Sequence, residues 1–128
     1  MRFPFPCFPA EFELPDDWLA EAGFLGFKPR AEAFRSTETA THAIPLRDIE
    51  PPFRYPEHPK DFRGFDRARM VKILAGIVTD VAIEPVQLLL LPRPSFVRAP
   101  FEFRVYDGVH RFYAAVAAGF AKLPAFIE

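Results

Sequence analysis

Tyr106–Phe120 reads "YDGVHRFYAAVAAGF", and the fold turns on how this stretch is divided. Val109, Phe112, Tyr113, Val116 and Phe120 recur at helical spacing, which predicts an amphipathic helix with one apolar side. Gly119 suits a left-handed cap at its end, with Phe120 as the accompanying apolar contact. Ahead of the helix, "FEFRVY" alternates: Phe101, Phe103 and Val105 on one face, Glu102, Arg104 and Tyr106 on the other, the pattern of a half-exposed strand. The junction is the Asp107-Gly108 turn, followed by His110 and Arg111 where the helix begins. A strand that runs through a glycine turn into a helix leaves the first helical N–H groups unpaired, at the positive end of the helix dipole. That is a place for an anion.

Working outward, "LPAFI" after the helix is a short strand. "EPVQLLLL" is an apolar run bounded by prolines, hence a buried strand, and "PRPSFVRAP" after it is a loop. "FDRARMVKILAGIVTD" is a second strong helix, with Asp66 as N-cap and a stripe of Met70, Ile73, Leu74, Ile77 and Val78. Gly76 inside it suggests close packing, and Arg67 and Arg69 are assigned to its exposed side. "EPPFRYPEHPKDFRG" is too rich in proline to be anything but a loop. "AIPLRDI" reads as one strand with Ile44, Leu46 and Ile49 facing inward. From Ala43 the order is therefore strand, helix, strand, strand, helix, strand. The class is α+β, a small mixed sheet with packed helices.

Residues 1–42 differ in character. Phe3, Pro4, Phe5, Pro6, Phe8 and Pro9 alternate, and proline excludes a central strand. The expectation is an extended, polyproline-like arm that lies across the domain or docks on a second copy to make a homo-oligomer. Pro15 then opens a short helix with Trp18, Leu19 and Ala22 on its apolar face, and Gly23 ends it. The expected division is an N-terminal arm and short helix at 1–42 and a domain at 43–128.

Composition narrows the function classes. With 128 residues the chain suits a single domain that needs no disulfide or metal staple. A net charge of −1 argues against a dedicated nucleic-acid binder. The one cysteine, Cys7, cannot form an internal disulfide, and the proline-broken N-terminus does not read as a signal peptide. "VQLLLLP" is too short to span a bilayer, so no membrane partner is expected and the expected address is the cytoplasm. His42, His58 and His110 are far apart and show no zinc spacing. Ser36 and Ser95 sit in no nucleophile motif, and there is no Walker-type loop.

The Asp107–Arg111 turn carries the remaining chemistry. Gly108 permits close approach to the backbone. Arg111 can fork onto two phosphate oxygens. His110 can donate a hydrogen bond or carry a proton near neutral pH. Asp107 can cap the helix, orient His110, or contact a metal or a ribose hydroxyl. An ordinary capped turn with Arg111 paired to a nearby acid uses the same residues.

Four pieces, "IPLRDIEPPFR", "FDRARMVKILAGIV", "EPVQLLLL" and "YDGVHRFYAAVAAGFAKLPAFI", together resemble the ParB/sulfiredoxin-like superfamily over about two thirds of the chain. The last is the most specific: a Gly-x-His-Arg turn opening a helix that ends in Gly, followed by a Leu-Pro strand. The resemblance implies nucleotide binding, with ATP or CTP and Mg²⁺ as the cofactor, and either phosphoryl transfer or NTP hydrolysis as the reaction. By position it implies phosphate contacts from Gly108, His110 and Arg111, and a further basic contact from Arg54. It leaves Asp107, Glu84 and His110 as the catalytic candidates, for a proton or a metal contact. Sulfiredoxin's reactive cysteine falls on Val109, so its sulfinic-acid chemistry is not expected. ParB proteins continue into a helix-turn-helix that this sequence does not include, so sequence-specific DNA binding is not expected either. Two other functions fit the same fold: a non-catalytic interaction module that docks through its aromatic arm, and a nuclease.

Overall fold

The computed structural model describes residues 1–6, 9–54, 61–92 and 101–128. Cys7, most of the proline loop with His58, and the loop from Arg93 with Ser95 lie outside the described residues. The architecture is α+β. Strands β3 (His42–Pro45), β4 (Ile49–Glu50), β5 (Val86–Leu90), β6 (Phe103–Asp107) and β7 (Lys122–Ile127) form a five-stranded mixed sheet in the order β3-β7-β5-β6-β4. Helices α2 (Arg67–Val78) and α3 (Val109–Ala118) pack on each other, and α3 packs on β5 and β7. The strand-to-helix reading of the opening stretch holds: β6 ends at Asp107, Gly108 is the N-cap of α3, and Gly119 caps its end with φ 87°.

The segment read as one strand over 43–49 is instead divided. β3 pairs antiparallel with β7 at one edge of the sheet, a 3₁₀ turn follows at Leu46–Asp48, and β4 pairs parallel with β6 at the other edge. Ile44, Leu46 and Ile49 are all buried, as the sequence reading expects. Their spacing of two and then three residues already breaks the period of a single strand. The turn carries the chain across the sheet, held by Leu46 N–H donating to Ala121 O and Glu102 N–H donating to Asp48 O.

The N-terminal segment lies across the domain, one of its two expected places, but as a paired ribbon rather than a polyproline-like arm. Arg2–Pro4 (β1) and Glu11–Glu13 (β2) pair antiparallel, Phe3 opposite Phe12, as a small separate ribbon. Two short, isolated strands tolerate the neighbouring prolines that a central strand would not. The ribbon's aromatic side chains, Phe3 and Phe12, turn inward. Phe12 lies 4.9 Å from the Tyr113 ring and 6.4 Å from Phe65, and Phe5 lies 5.9 Å from Tyr113, all edge to face. Phe3, Phe12, Leu14, Trp18 and Leu19 belong to the same buried cluster as Leu74, Phe112 and Leu123. Helix α1 (Asp16–Glu21) contributes Trp18 and Leu19 and packs against α2.

This explains a feature of α3 that a single apolar stripe does not. His110, Phe112, Tyr113, Ala114, Ala115, Val116 and Ala118 are all buried, so the helix is covered on nearly every side. A helix apolar all round needs a cover on each face. The sheet, α2 and the ribbon supply the covers, and the alanines permit their close approach.

Candidate functional site

Strand direction collects the site. β4 and β6 run parallel, so the chain after each, at 51–54 and 106–108, leaves the sheet at the same end. β5 runs antiparallel to β6, so it begins there, after Ile83, Glu84 and Pro85. Helix α3 begins there too. Between this sheet end and the flank of α2 lies a cleft of about 900 Å³, within the size range of small-molecule sites. Every residue nominated from the sequence lines it: Arg54, Glu84, Asp107, Gly108, His110 and Arg111.

Gly108 is required for a reason the sequence does not state. Its φ is 114°, and a Cβ at this position would stand 2.7 Å from Val86 Cγ1 and 3.0 Å from Val86 Cβ. The turn is wedged against the first residue of β5, and only glycine fits. No side chain caps α3, and Phe112 N–H donates to Gly108 O. The turn of helix that carries the uncapped amides, residues 109–111, lies on the cleft wall.

Arg111 is held by the protein. Nη1 donates to Pro85 O at 2.6 Å and to Glu84 O at 3.2 Å, and Nη2 donates to Asp107 Oδ2 at 3.4 Å. Its side chain is 15% exposed. The guanidinium thus staples the start of β5 to the first turn of α3. It brings fixed positive charge to the cleft, with two of its nitrogens already donating to protein oxygens. Asp107 and Glu84, both well exposed, stand on either side of it.

His110 is buried, and its Nε2 accepts the Asp66 N–H at 2.8 Å. That contact fastens the start of α2 to the start of α3 and assigns the ring proton to Nδ1. A proton-transfer role at Nε2 would break it, so the donor left to this side chain is Nδ1–H. Burial first, and the positive charge of Arg69 second, hold the imidazole below its ordinary pKa of 6.5, against an opposing pull from Asp66. A lowered folded-state value means the unfolded chain binds more protons in the window just below 6.5. Stability from this group is full above that pH and is lost as pH falls. Urea unfolding at pH 7.5, 6.5 and 5.5 is expected to show that decline, and His110→Gln, whose amide oxygen can still accept the Asp66 N–H, is expected to flatten it. Equal slopes in the two proteins would count against the assignment.

Arg54 stands over the aromatic core. Its guanidinium lies 4.6 Å from the centre of the Phe65 ring and 5.1 Å from that of Tyr113, and Nη1 donates to Arg63 O. The rings hold the cation at the cleft margin through their negative faces.

The cleft also contains two cations that the sequence reading does not assign to a site, one of them Arg69, which is exposed as expected. Arg69 and Lys72, on α2, line it, and neither makes an ion pair with another described residue. Arg67, by contrast, pairs with Asp17 and Glu21 of α1. Residues two apart on a helix point nearly opposite ways, so Arg67 and Arg69 do not share a face. That much was available in the spacing. Four cations (Arg54, Arg69, Lys72, Arg111) face two acids (Glu84, Asp107), so the cleft is positive in a chain whose net charge is −1.

No family model and no curated protein matches the sequence. Among solved structures, the chain is similar to the crystal structure of sulfiredoxin from Arabidopsis thaliana, with 14% identity over 70% of this chain and 85% of that one and a TM-score of 0.48.

Proposed function

We propose that this protein binds a nucleotide through its phosphates, in the cleft at the start of α3. The observation that carries the reading is the convergence of an uncapped first helical turn with Arg54, Arg69, Lys72 and Arg111 on one cleft of about 900 Å³. Uncapped amides at a helix start favour an anion, and side-chain cations add charge-assisted hydrogen bonds. The motif resemblance at Gly108, His110 and Arg111 supports the same reading. Arg69 and Lys72 have the freer donors and take the outer phosphates. Arg111 supplies charge and holds the turn in place.

Mg²⁺ fits this arrangement as a companion of the nucleotide rather than as a resident ion. It is commonly bound by one or two carboxylates together with substrate phosphates. Asp107 and Glu84 offer two carboxylates on the cleft wall, and among the described residues no group of three metal-ligating side chains exists. When bound, the ion would offset charge on the transferring phosphate, as phosphoryl transfer or NTP hydrolysis requires. Asp107 and Glu84 are the residues placed to hold it.

Calorimetric titration with Mg-ATP and Mg-CTP at low salt tests the binding. The wild type is expected to bind one of them with Kd below about 1 mM, equivalent to about −4 kcal/mol. Arg69→Ala and Lys72→Ala are each expected to weaken binding by about tenfold or more, since hydrogen bonds to charged groups contribute about 1.5–3 kcal/mol. Raising the salt should weaken the wild type more than the double variant. Absence of binding by the wild type, or unchanged binding by the double variant, would defeat the reading.

A further inference from the structure

Tyr106 is the element of the cleft that phosphate binding leaves unused. Between β5 and β6 the register steps from Gln87 opposite Asp107 to Leu88 opposite Val105. Two residues of β6 advance for one of β5, and Tyr106 is the residue left over. This is a β-bulge, a device that re-aims a side chain and recurs beside functional sites. The bulged Tyr106 is 62% exposed and lines the cleft, directly before Asp107 and Gly108. The surrounding wall has an apolar part: Val81, Ile83 and Ile73 line the same cleft, with Gly76 of α2 beside Ile83. One cleft therefore has a cationic part and an aromatic and aliphatic part. Tyr106 stands two residues before Gly108, where the two parts of the cleft adjoin.

We infer that the bulge in β6 presents the Tyr106 ring as a stacking platform for the base of the nucleotide, making Tyr106 the residue that distinguishes a nucleotide from an inorganic phosphate chain. The inference rests on the phosphate reading of the same cleft and adds to it a second contact of different chemistry. Every base has a π-face, so stacking on Tyr106 holds a base without selecting among bases. Specificity for the base, where it exists, comes from other groups.

The test compares Mg-ATP, Mg-CTP and Mg-tripolyphosphate on the wild type, Tyr106→Ala and Tyr106→Phe by calorimetry. Tyr106→Ala is expected to lose about tenfold in affinity for the nucleotide that the wild type binds and nothing for tripolyphosphate. Tyr106→Phe keeps the π-face and is expected to bind both as the wild type does. If tripolyphosphate binds as tightly as the nucleotides, or Tyr106→Ala binds nucleotide like the wild type, the stacking inference falls while the phosphate reading stands. If the alanine variant loses tripolyphosphate equally, Tyr106 acts only through the shape of the turn, and the inference also falls. Binding of none of the three to the wild type removes both readings.

Discussion

Deleting residues 1–14 is expected to abolish cooperative unfolding. The segment contributes Phe3, Phe12 and Leu14 to the core, at 7%, 3% and 0% exposure, together with the Phe5 ring against Tyr113. Truncating a single buried side chain of this size costs about 2–5 kcal/mol. Removing three therefore approaches or exceeds the roughly 5–15 kcal/mol by which a domain is stable. The loss falls on α3, whose second face would be uncovered just where it supports the cleft. The ribbon also anchors itself, through Met1 O accepting the Leu14 N–H and the terminal ammonium reaching Leu14 O and Asp16. Thermal unfolding followed by near- and far-ultraviolet circular dichroism reads the result: the full chain should melt in one transition, and the shortened chain should lack near-ultraviolet signal at room temperature. A shortened chain that melts cooperatively within a few degrees of the full one would show that the ribbon is an accessory.

Gly108→Ala is the second large effect, because two costs add at one atom. The backbone at φ 114° is strained for any residue with a Cβ, about 1–3 kcal/mol. The new methyl would also overlap Val86, whose Cγ1 is 2.7 Å away and which is fully buried, and overpacking of this kind costs about 1–3 kcal/mol more. A loss of about 2–6 kcal/mol in urea unfolding is expected. Gly23→Ala supplies the internal comparison. Its φ is also positive, at 70°, but nothing lies within 4 Å of the added carbon, so its cost is confined to the backbone and is the smaller of the two. Val86→Ala should cost less in the Gly108→Ala background than alone, since it then relieves part of a clash. Equal losses for Gly108→Ala and Gly23→Ala would mean that β5 does not press on the turn.

The candidate site was more legible in the sequence than its supports. Asp107-Gly108 between an alternating strand and a helical stripe marks a helix start by local signals alone, while the lack of a side-chain cap there is visible only in the structure. The prolines around Val86 and the helix cap at Asp66 are local as well. What escaped was set by distant partners. Nothing near Arg111 in the chain announces that its donors would reach the carbonyls of Glu84 and Pro85, more than twenty residues away. Nothing near His110 announces Asp66. The aromatic ribbon reads as an extended arm because its partner surface, the far side of α3, forms only when the rest is folded. The division at Leu46–Asp48 is different in kind, since the broken alternation from Leu46 to Ile49 is present in the sequence. Arg67 and Arg69 are both exposed, as expected, and the two-residue offset that sends only Arg69 toward the cleft is also present in the sequence.

The central claim is that phosphates bind at the first turn of α3. It is tested most directly by nuclear magnetic resonance of the ¹⁵N-labelled full chain, titrated with Mg-ATP and Mg-CTP at low salt. The account predicts that the backbone amides of Val109, His110 and Arg111 shift together and saturably with at least one nucleotide, accompanied by the amides around Arg69 and Lys72 and by little change in β3 or α1. Shifts that leave residues 109–111 unmoved while others respond, or a spectrum that neither nucleotide alters, would contradict it.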